Sequence, residues 1–290
     1  MKHIILAIAT LFLTTTALAE IVNPKTTEDF YRTSVKVYGA NGRSGGTGSI
    51  FKSFNKASHI LTNKHVCRLI EQGGFVSYKG KKYPVTHYKK FTEHDLCLVR
   101  IETNLNIELA ISGTLLNVSQ TVMVSGHPNL LPHILTKGHA SEDLDINLVV
   151  GIKKCTKEDK KKDASVCFWF GGKPVIKTMA ATVVSNLIKP GSSGSGVFNE
   201  KGELVGVVYA GNGRGFSHGF IVPHLFVLYF IKNVQHFKWV KVGTKVDDRG
   251  FIDRIFNYTM CEKALLSPTA EYTTVVDFCK SIKDNVIWRQ

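Results

Sequence analysis

A glycine- and serine-rich run from Pro190 to Asn199 has the composition that acyl-transfer chemistry requires. That chemistry needs an exposed hydroxyl beside backbone N–H groups aimed at the developing oxyanion, and glycines let the backbone form such a turn. Taken alone, the composition would fit a flexible surface turn equally well. Two other segments favour the chemical interpretation, because His65 follows one β-rich run and Asp95 begins another.

The segments around these residues resemble the three catalytic blocks of chymotrypsin-like serine proteases, and they occur in that family's order of His, Asp and Ser. Among its members, the bacterial high-temperature-requirement and glutamyl-endopeptidase types look most similar. The resemblance covers about residues 33–223 and includes the turn from Gly126 to Leu130 and the run from Gly219 to Pro223. His127 and Asn129 depart from the family's usual residues in that turn. We expect no PDZ domain, since no segment of suitable size follows Pro223.

The resemblance implies a serine endopeptidase that hydrolyses peptide bonds through an acyl-enzyme intermediate. Ser193 aligns with the nucleophile, His65 with the base that carries its proton to the leaving amine, and Asp95 with the carboxylate that orients the imidazole. The oxyanion would lie on the backbone N–H groups of Gly191 and Ser193. This mechanism requires neither a cofactor nor a metal ion.

Competing assignments are less consistent with the family pattern. His94 is an alternative base and Ser195 an alternative nucleophile, but neither aligns with a catalytic position. Ser192 replaces the Asp that pairs with a freed N-terminal amine in zymogen-activated members, so we expect no such activation cleavage. An esterase of the α/β-hydrolase type would need its serine first in the chain. The main alternative is a catalytically silent exported binding module on the same fold.

The resemblance also implies a primary specificity pocket. Its residues would be Leu187 at the base, Tyr209, Ala210 and Gly211 along one wall, and His218 and Gly219 near another. A preference for Lys or Arg side chains is disfavoured because the base lacks an Asp. Small or medium apolar side chains are favoured, and a glutamyl preference through His218 or the general positive charge remains open.

The elements that must position these residues are short β-rich runs separated by glycine and polar turns, which predict an all-β protein. The resemblance implies a chymotrypsin-like double β-barrel, with barrel one over about residues 33–111 and barrel two over about residues 112–223. A closing helix is predicted over about residues 223–238, which completes a protease domain over residues 20–240. A short helix is predicted near Thr26–Asp29, and residues 241–290 are predicted to form a helical C-terminal extension.

Residues 1–19 have the pattern of a secretory signal peptide. Lys2 precedes an apolar run from Ile4 to Leu13, and Ala17-Leu18-Ala19 forms a small-x-small cleavage site. The apolar run is too short to span a bilayer, so a retained anchor is the less favoured alternative. We therefore expect a secreted or periplasmic protein that is not transmembrane after signal removal.

The formal net charge of +14 predicts that the surface attracts anionic partners, such as envelope polymers, lipid head groups or acidic proteins. Specific nucleic-acid binding is not predicted. The sequence contains no zinc-finger spacing, RNA-recognition signature or glycine-rich phosphate loop. A polypeptide substrate is the partner that the family resemblance implies.

Six cysteines follow the predicted signal peptide, and export makes disulfides the default expectation. Metal binding is disfavoured because no C-x-x-C pair is present. If His65 and Asp95 are in contact, Cys67 and Cys97 lie close enough to pair, since each is two residues further along. The other predicted pairs are Cys155–Cys167, which would close a lysine-rich loop, and Cys261–Cys279, which would join the terminal helices.

Overall fold

The computed structural model describes residues 20–91, 93–158, 173–211, 218–244 and 286–287. The predicted signal peptide and the cysteines 167, 261 and 279 lie outside these residues, as does most of the predicted C-terminal extension. Among the described helices, none is both long and apolar enough to cross a membrane.

The first barrel is built from short antiparallel strands whose alternate residues point inward. In β2 (Ser34–Gly39), for example, Val35 and Val37 are fully buried, whereas Lys36 between them is partly exposed. Pairing of β3 (Gly45–Phe54) with β4 (Ala57–Thr62) closes the sheet, and β1 (Glu20–Val22) and β8 (Ile107–Leu109) add to its outside. The strands are β1 (Glu20–Val22), β2 (Ser34–Gly39), β3 (Gly45–Phe54), β4 (Ala57–Thr62), β5 (Gly74–Tyr78), β6 (Lys81–Lys90), β7 (Cys97–Ile101) and β8 (Ile107–Leu109).

The second barrel follows directly in the chain. Pairing of β10 (Ile134–Lys153) with β11 (Lys173–Val184) closes it. Residues 185–195, which include Ser193, connect β11 to β12 (Gly196–Phe198), and we call them the nucleophile-candidate turn. The strands are β9 (Thr121–Gly126), β10 (Ile134–Lys153), β11 (Lys173–Val184), β12 (Gly196–Phe198), β13 (Leu204–Gly211) and β14 (Gly219–Val222). Two closed barrels of six strands each confirm the predicted all-β, chymotrypsin-like fold.

Each barrel has its own apolar interior, and a third apolar cluster joins them. This joining cluster includes Phe30, Leu98, Tyr209 and Phe230, so it draws on both barrels and on two helices. Burial of this cluster fixes how the barrels meet, because separating them would expose it to water.

Within the described residues, three helices accompany the barrels: α1 (Thr27–Thr33), α2 (Lys64–Ile70) and α3 (His224–Lys232). Helix α1 confirms the short helix predicted near the N-terminus. It begins with a capping box, in which the Thr26 hydroxyl accepts from the Asp29 N–H while the Asp29 carboxylate accepts from the Thr26 N–H. Helix α2 carries His65 in its first turn.

Helix α3 ends six residues before the predicted limit of about residue 238. The Asn233 side-chain amide donates to the carbonyl oxygen of Tyr229, which ends the helix, and a 3-10 turn follows at Val234–His236. The chain then crosses to barrel one, where β15 (Val240–Lys241) pairs with β6. We call residues 233–244 the crossing segment.

The crossing segment is held to barrel one by a buried lysine and an aromatic side chain. The Lys89 ammonium donates to the Val234 carbonyl oxygen at 2.8 Å and lies 4.7 Å from the centroid of the Trp239 ring. The same ring lies 5.1 Å from that of His59. Beyond this segment, Val286–Ile287 forms strand β16 beside β10, so these two residues are not helical as predicted. Both are β-branched, which favours a strand.

Candidate active site

The structure brings His65 and Asp95 into direct contact. The imidazole Nδ1 of His65 lies 2.6 Å from Oδ2 of Asp95, and the His65 backbone N–H donates to Oδ1 at 3.0 Å. The carboxylate is completely buried. An ionised carboxylate can only accept hydrogen bonds, so Nδ1 carries the proton and Nε2 retains its lone pair. This pair is therefore arranged to accept a proton at Nε2.

His94 holds Asp95 in place and is not available as a base. Its Nδ1 accepts the Asp95 backbone N–H at 2.8 Å, and its Nε2 lies 2.7 Å from the carbonyl oxygen of Ala180. The first contact requires Nδ1 to be unprotonated, so Nε2 carries the proton and donates to Ala180. The Asn63 side-chain amide also donates to the Asp95 carbonyl oxygen. Both contacts orient the carboxylate toward His65.

Four consecutive carbonyl groups in the nucleophile-candidate turn each accept a hydrogen bond. The Asn129 N–H donates to Pro190, the Thr47 hydroxyl to Gly191 at 2.8 Å, the Ser195 N–H to Ser192 at 2.9 Å, and the Thr47 N–H to Ser193 at 2.7 Å. Because a trans peptide directs its C=O and N–H to opposite sides, these bonds also set the direction of the amides.

The amides of this turn are engaged in an alternating pattern. Ser192 donates to the Lys189 carbonyl and Gly194 to the Val208 carbonyl. By contrast, the N–H groups of Gly191 and Ser193 donate to no residue in the described part of the chain. Gly191 has φ of 84° and Gly194 has φ of 89°, values that favour glycine. The two free amides are those predicted to bind an oxyanion.

Ser193 lies close to the helix that carries His65. A Cβ built on Gly46 would be 2.7 Å both from the Ser193 carbonyl oxygen and from Cγ2 of Val66, the residue after His65. Only glycine fits at this approach of the two barrels. Neither His65 Nε2 nor the Ser193 hydroxyl makes a hydrogen bond to a described residue, so no hydrogen bond joins the two groups. Hydrogen bonds of this kind often tighten only when substrate binds.

Thr47 is a functional candidate that the sequence analysis missed. It is fully buried on β3 of barrel one, yet it contacts the turn of barrel two through both its N–H and its hydroxyl. The hydroxyl also accepts the His127 N–H at 3.0 Å. The available signal was its position between Gly46 and Gly48, where small neighbours permit close approach of another backbone.

The two serines beside Ser193 face away from the cleft. Ser195 is completely buried, and its Oγ would lie 1.8 Å from a Cβ on Gly126, so it is enclosed behind the turn. The Ser192 hydroxyl is also buried and accepts the Lys189 N–H at 3.3 Å. Ser193 is thus the serine of the turn that lies at the junction with barrel one.

The residue predicted to form the base of the specificity pocket, Leu187, lies next to a buried neighbour. The side chain of Leu187 is 54% exposed, whereas that of Ile188 is 8% exposed. A Cβ on Gly211 would lie 3.0 Å from Ile188, and one on Gly219 would lie 2.4 Å from it. Ile188 therefore fills the space between the two predicted walls. Leu187 was assigned from its spacing to Ser193. Spacing alone does not determine which of two neighbouring side chains points inward.

The remaining pocket candidates have different environments. The Tyr209 ring lies 5.4 Å from the His94 ring and its hydroxyl donates to the Ala180 carbonyl, so its side chain supports the His94–Asp95 pair instead of lining the pocket. Ala210 is buried and His218 is exposed.

A disulfide joins Cys67 to Cys97, with a Cα–Cα distance of 6.4 Å. It connects the helix of His65 to the strand that follows Asp95, and each cysteine is two residues beyond its catalytic candidate. Cys155 is also disulfide-bonded, but its predicted partner Cys167 lies outside the described residues. The predicted Cys261–Cys279 pair lies outside them as well.

A large part of the chain matches a known domain family. Residues 46–207 match the trypsin-like peptidase domain family, a match that covers more than half of the chain. No curated protein sequence matches the chain.

Several solved protease structures are similar in fold. The active form of the Rv3671c protease from M. tuberculosis has a TM-score of 0.54 and 15% identity, with coverage of 79% of this chain and 92% of that one. The serine endoprotease from Yersinia pestis has a TM-score of 0.51 and 21% identity, with coverage of 73% and 68%. The HtrA-type protease AlgW with a tripeptide has a TM-score of 0.51 and 17% identity, and this chain spans 60% of its length. At these identities the likeness shows the fold.

Proposed function

Because the chain belongs to the trypsin-like peptidase domain family, we propose that it is an exported serine endopeptidase with Ser193, His65 and Asp95 as its catalytic triad. The observation that carries the proposal is the His65–Asp95 contact of 2.6 Å, which leaves Nε2 with a free lone pair beside the serine turn. A peptidase hydrolyses polypeptides, so the substrate class follows from the family.

In the proposed mechanism, His65 Nε2 removes the proton from the Ser193 hydroxyl as Oγ attacks the peptide carbonyl carbon. The negative charge that develops on the carbonyl oxygen is stabilised by the N–H groups of Gly191 and Ser193. His65 then gives its proton to the leaving amine, and the acyl-enzyme remains. A water molecule, activated by the same histidine, hydrolyses the acyl-enzyme. Asp95 keeps the imidazole in the required tautomer throughout.

The proposed enzyme needs no N-terminal activation cleavage. Ser192 provides no carboxylate that a freed amine could pair with, and its hydroxyl is bonded to the Lys189 N–H instead. Residues Glu20–Val22 are already paired with β8 in barrel one. A protein whose chain starts at Glu20 is therefore expected to be active. We place it outside the cytoplasm, in the periplasm or secreted, on the basis of the predicted signal peptide.

The side chain preceding the cleaved bond is proposed to be small and apolar. Ile188 occupies the space between Gly211 and Gly219, which leaves a shallow pocket with an aliphatic floor. The exposed position of His218 gives no support to a glutamyl preference.

Mutation of the two serines tests the assignment. Ser193→Ala should lower kcat by about 10⁶-fold, as removal of a triad member does in other serine proteases. The protein should also lose labelling by a serine-directed fluorophosphonate. Ser195→Ala serves as the matched control, because it removes a buried hydroxyl of the same turn and should remain labelled and active. Circular dichroism would establish that both variants are folded.

The opposite result would refute the proposal. If Ser193→Ala retained labelling and Ser195→Ala lost it, the nucleophile would be Ser195 and the assignment to Ser193 would be wrong. A folded wild-type protein that neither reacts with fluorophosphonates nor cleaves a diverse peptide library would instead be the silent binding module.

A further inference from the structure

Barrel one carries a very uneven distribution of charge. Residues 30–92 contain a single carboxylate, Glu71, and that group is already paired with Lys90. The basic residues of the same span are Arg32, Lys36, Arg43, Lys52, Lys56, Lys64, Arg68, Lys79, Lys81, Lys82, Lys89 and Lys90. With twelve basic residues and one carboxylate, residues 30–92 have a formal net charge of +11, so positive charge is dense in this part of barrel one.

Part of this charge forms a surface on the outer face of strands β2, β5 and β6. Lys36 pairs with Ser77, and Ser77 with Lys82, so the three side chains form one row across the sheet. Their neighbours along the strands, Val37 and Val76, point into the barrel and are fully buried. The row therefore faces outward.

A second row beside the first is aromatic. Tyr38 and Phe75 are stacked with their ring centroids 4.9 Å apart, and the Lys82 ammonium lies 4.9 Å from the Phe75 ring. Arg43 is exposed in the turn that joins β2 to β3, at the end of this second row. We call Lys36, Arg43 and Lys82, with the two rings, the basic face. Among the described residues, none of the three cations is in an ion pair with a carboxylate.

The basic face begins at the candidate active site. On β3, Thr47 is the partner of Lys36, and Thr47 contacts the carbonyl groups of Gly191 and Ser193. Burial is the main cause that lowers the pKa of His127, and the positive charge of Lys36 is a smaller cause in the same direction. A ligand that occupies the cleft can therefore continue directly onto this face.

We propose that the basic face binds acidic side chains of the polypeptide substrate on the C-terminal side of the cleaved bond. The proposal rests on the proposed peptidase function and adds a substrate class to it. The side is assigned because the pocket around Ile188, which takes the residue before the cleaved bond, belongs to barrel two, whereas the basic face belongs to barrel one. The two halves of the substrate would then lie on different barrels.

Strand spacing gives the expected position of the acidic residues. Adjacent strands are about 4.8 Å apart, so Lys36 lies about 5 Å and Lys82 about 14 Å from the Thr47 position. An extended peptide advances about 3.3 Å per residue. Carboxylates within about five residues after the cleaved bond can therefore reach these ammonium groups.

Binding can be measured without turnover in the Ser193→Ala protein. Two fluorescein-labelled peptides would be compared by anisotropy, identical up to the cleaved bond and carrying either Asp and Glu or Asn and Gln in the next five positions. The acidic peptide should bind about threefold to tenfold more tightly, the range expected for two exposed charge pairs. The difference should shrink as sodium chloride is raised from about 0.05 to about 0.5 M.

The double variant Lys36→Gln/Lys82→Gln tests the location of the site. It should remove most of the preference for the acidic peptide, whereas Lys56→Gln/Lys201→Gln should retain it. Lys56 and Lys201 are exposed in turns that do not belong to the basic face, so the control removes the same number of charges. If both double variants lose the preference equally, the net charge of the protein is responsible and the proposed face is wrong.

The two proposals fail in different ways. Equal binding of the acidic and neutral peptides by Ser193→Ala would overturn the basic-face proposal, even if the wild-type enzyme cleaves both. Tighter binding of the acidic peptide that depends on Lys36 and Lys82 would support it, even if the wild-type protein cleaved neither. In the active enzyme, kcat/KM should show the same preference as binding.

Discussion

Replacing Thr47 with valine removes a single hydroxyl at the junction of the two barrels while keeping the shape of the side chain. That hydroxyl donates to the Gly191 carbonyl and accepts the His127 N–H. The Gly191 carbonyl belongs to the turn whose free amides are proposed to bind the oxyanion. We therefore expect Thr47→Val to disturb catalysis although Thr47 does not touch the substrate.

The structure gives the size of the effect. Complete loss of one oxyanion donor lowers kcat by about 10²- to 10³-fold. Thr47→Val leaves the bonds to the Pro190 and Ser193 carbonyls in place, so the turn should be loosened but not lost, and we expect kcat to fall by about 10- to 100-fold. The variant also leaves two buried polar groups without partners, at about 1–3 kcal/mol each, so the free energy of unfolding should decrease by about 2–6 kcal/mol.

Steady-state kinetics with a short neutral peptide distinguishes a positioning role from a purely structural one. The value of kcat should fall, whereas KM should change by less than about threefold, because the lost interaction acts on the transition state. Inhibition by a peptide aldehyde, which forms a tetrahedral adduct, should weaken in parallel with kcat/KM. Thr47→Ser retains the hydroxyl and should restore most of both.

A Thr47→Val enzyme that is less stable but has normal kcat at a temperature where it is fully folded would show that Thr47 has no positioning role. The same conclusion would follow if Thr47→Ser were as impaired as Thr47→Val. Urea unfolding at the assay temperature provides the necessary measure of the folded fraction.

Three further changes have defined outcomes. Ile188→Ala should deepen the specificity pocket and raise the ratio of kcat/KM for a Leu peptide over an Ala peptide by about tenfold; an unchanged ratio would place the pocket elsewhere. Cys67→Ala/Cys97→Ala opens a link between residues 30 apart in sequence and should lower the free energy of unfolding by about 3–4 kcal/mol, measured against the oxidised wild type by urea unfolding. Burial lowers the pKa of His59 from 6.5 to about 4, so the unfolded chain takes up this proton as the pH falls below 6.5 while the folded protein does not. This protonation should therefore lower the free energy of unfolding of wild type by about 3 kcal/mol between pH 6.5 and 4, and His59→Phe should lack this part of the decrease. Parallel profiles of unfolding free energy against pH for the two proteins would contradict that assignment.

The sequence allowed an all-β protein to be predicted because alternation and turn chemistry are local, whereas the double barrel was implied by the family resemblance. Val35 and Val37 face the interior at every second residue of β2, and the capping residues of α1 lie within four positions of one another. The end of α3 was misplaced because the apolar periodicity continues past Asn233, where a side-chain hydrogen bond to Tyr229 stops the helix. The spacing of apolar residues gives no information about such a side-chain hydrogen bond.

The site was predictable to the extent that its residues lie in recognisable segments. His65 and Asp95 come together as the family resemblance implies. Thr47 was not predicted because its role depends on contacts with residues about 144 positions away. Ile188 was not singled out because residue spacing does not determine which of two neighbouring side chains points inward. Long-range contacts and side-chain direction are set by tertiary structure, which a single sequence does not display.

Strand β15 also bears on how copies of this protein behave at high concentration. It pairs with Tyr88 and His87 on β6, and the next residue, Val242, donates to the Thr86 carbonyl. These bonds occupy backbone groups on a stretch of β6 that extends beyond its pairing with β5. Such an open edge is a template for strand addition by a neighbouring molecule. A chain cut before residue 240 would present this edge to solvent, and aggregation would follow even if the cleft remained intact.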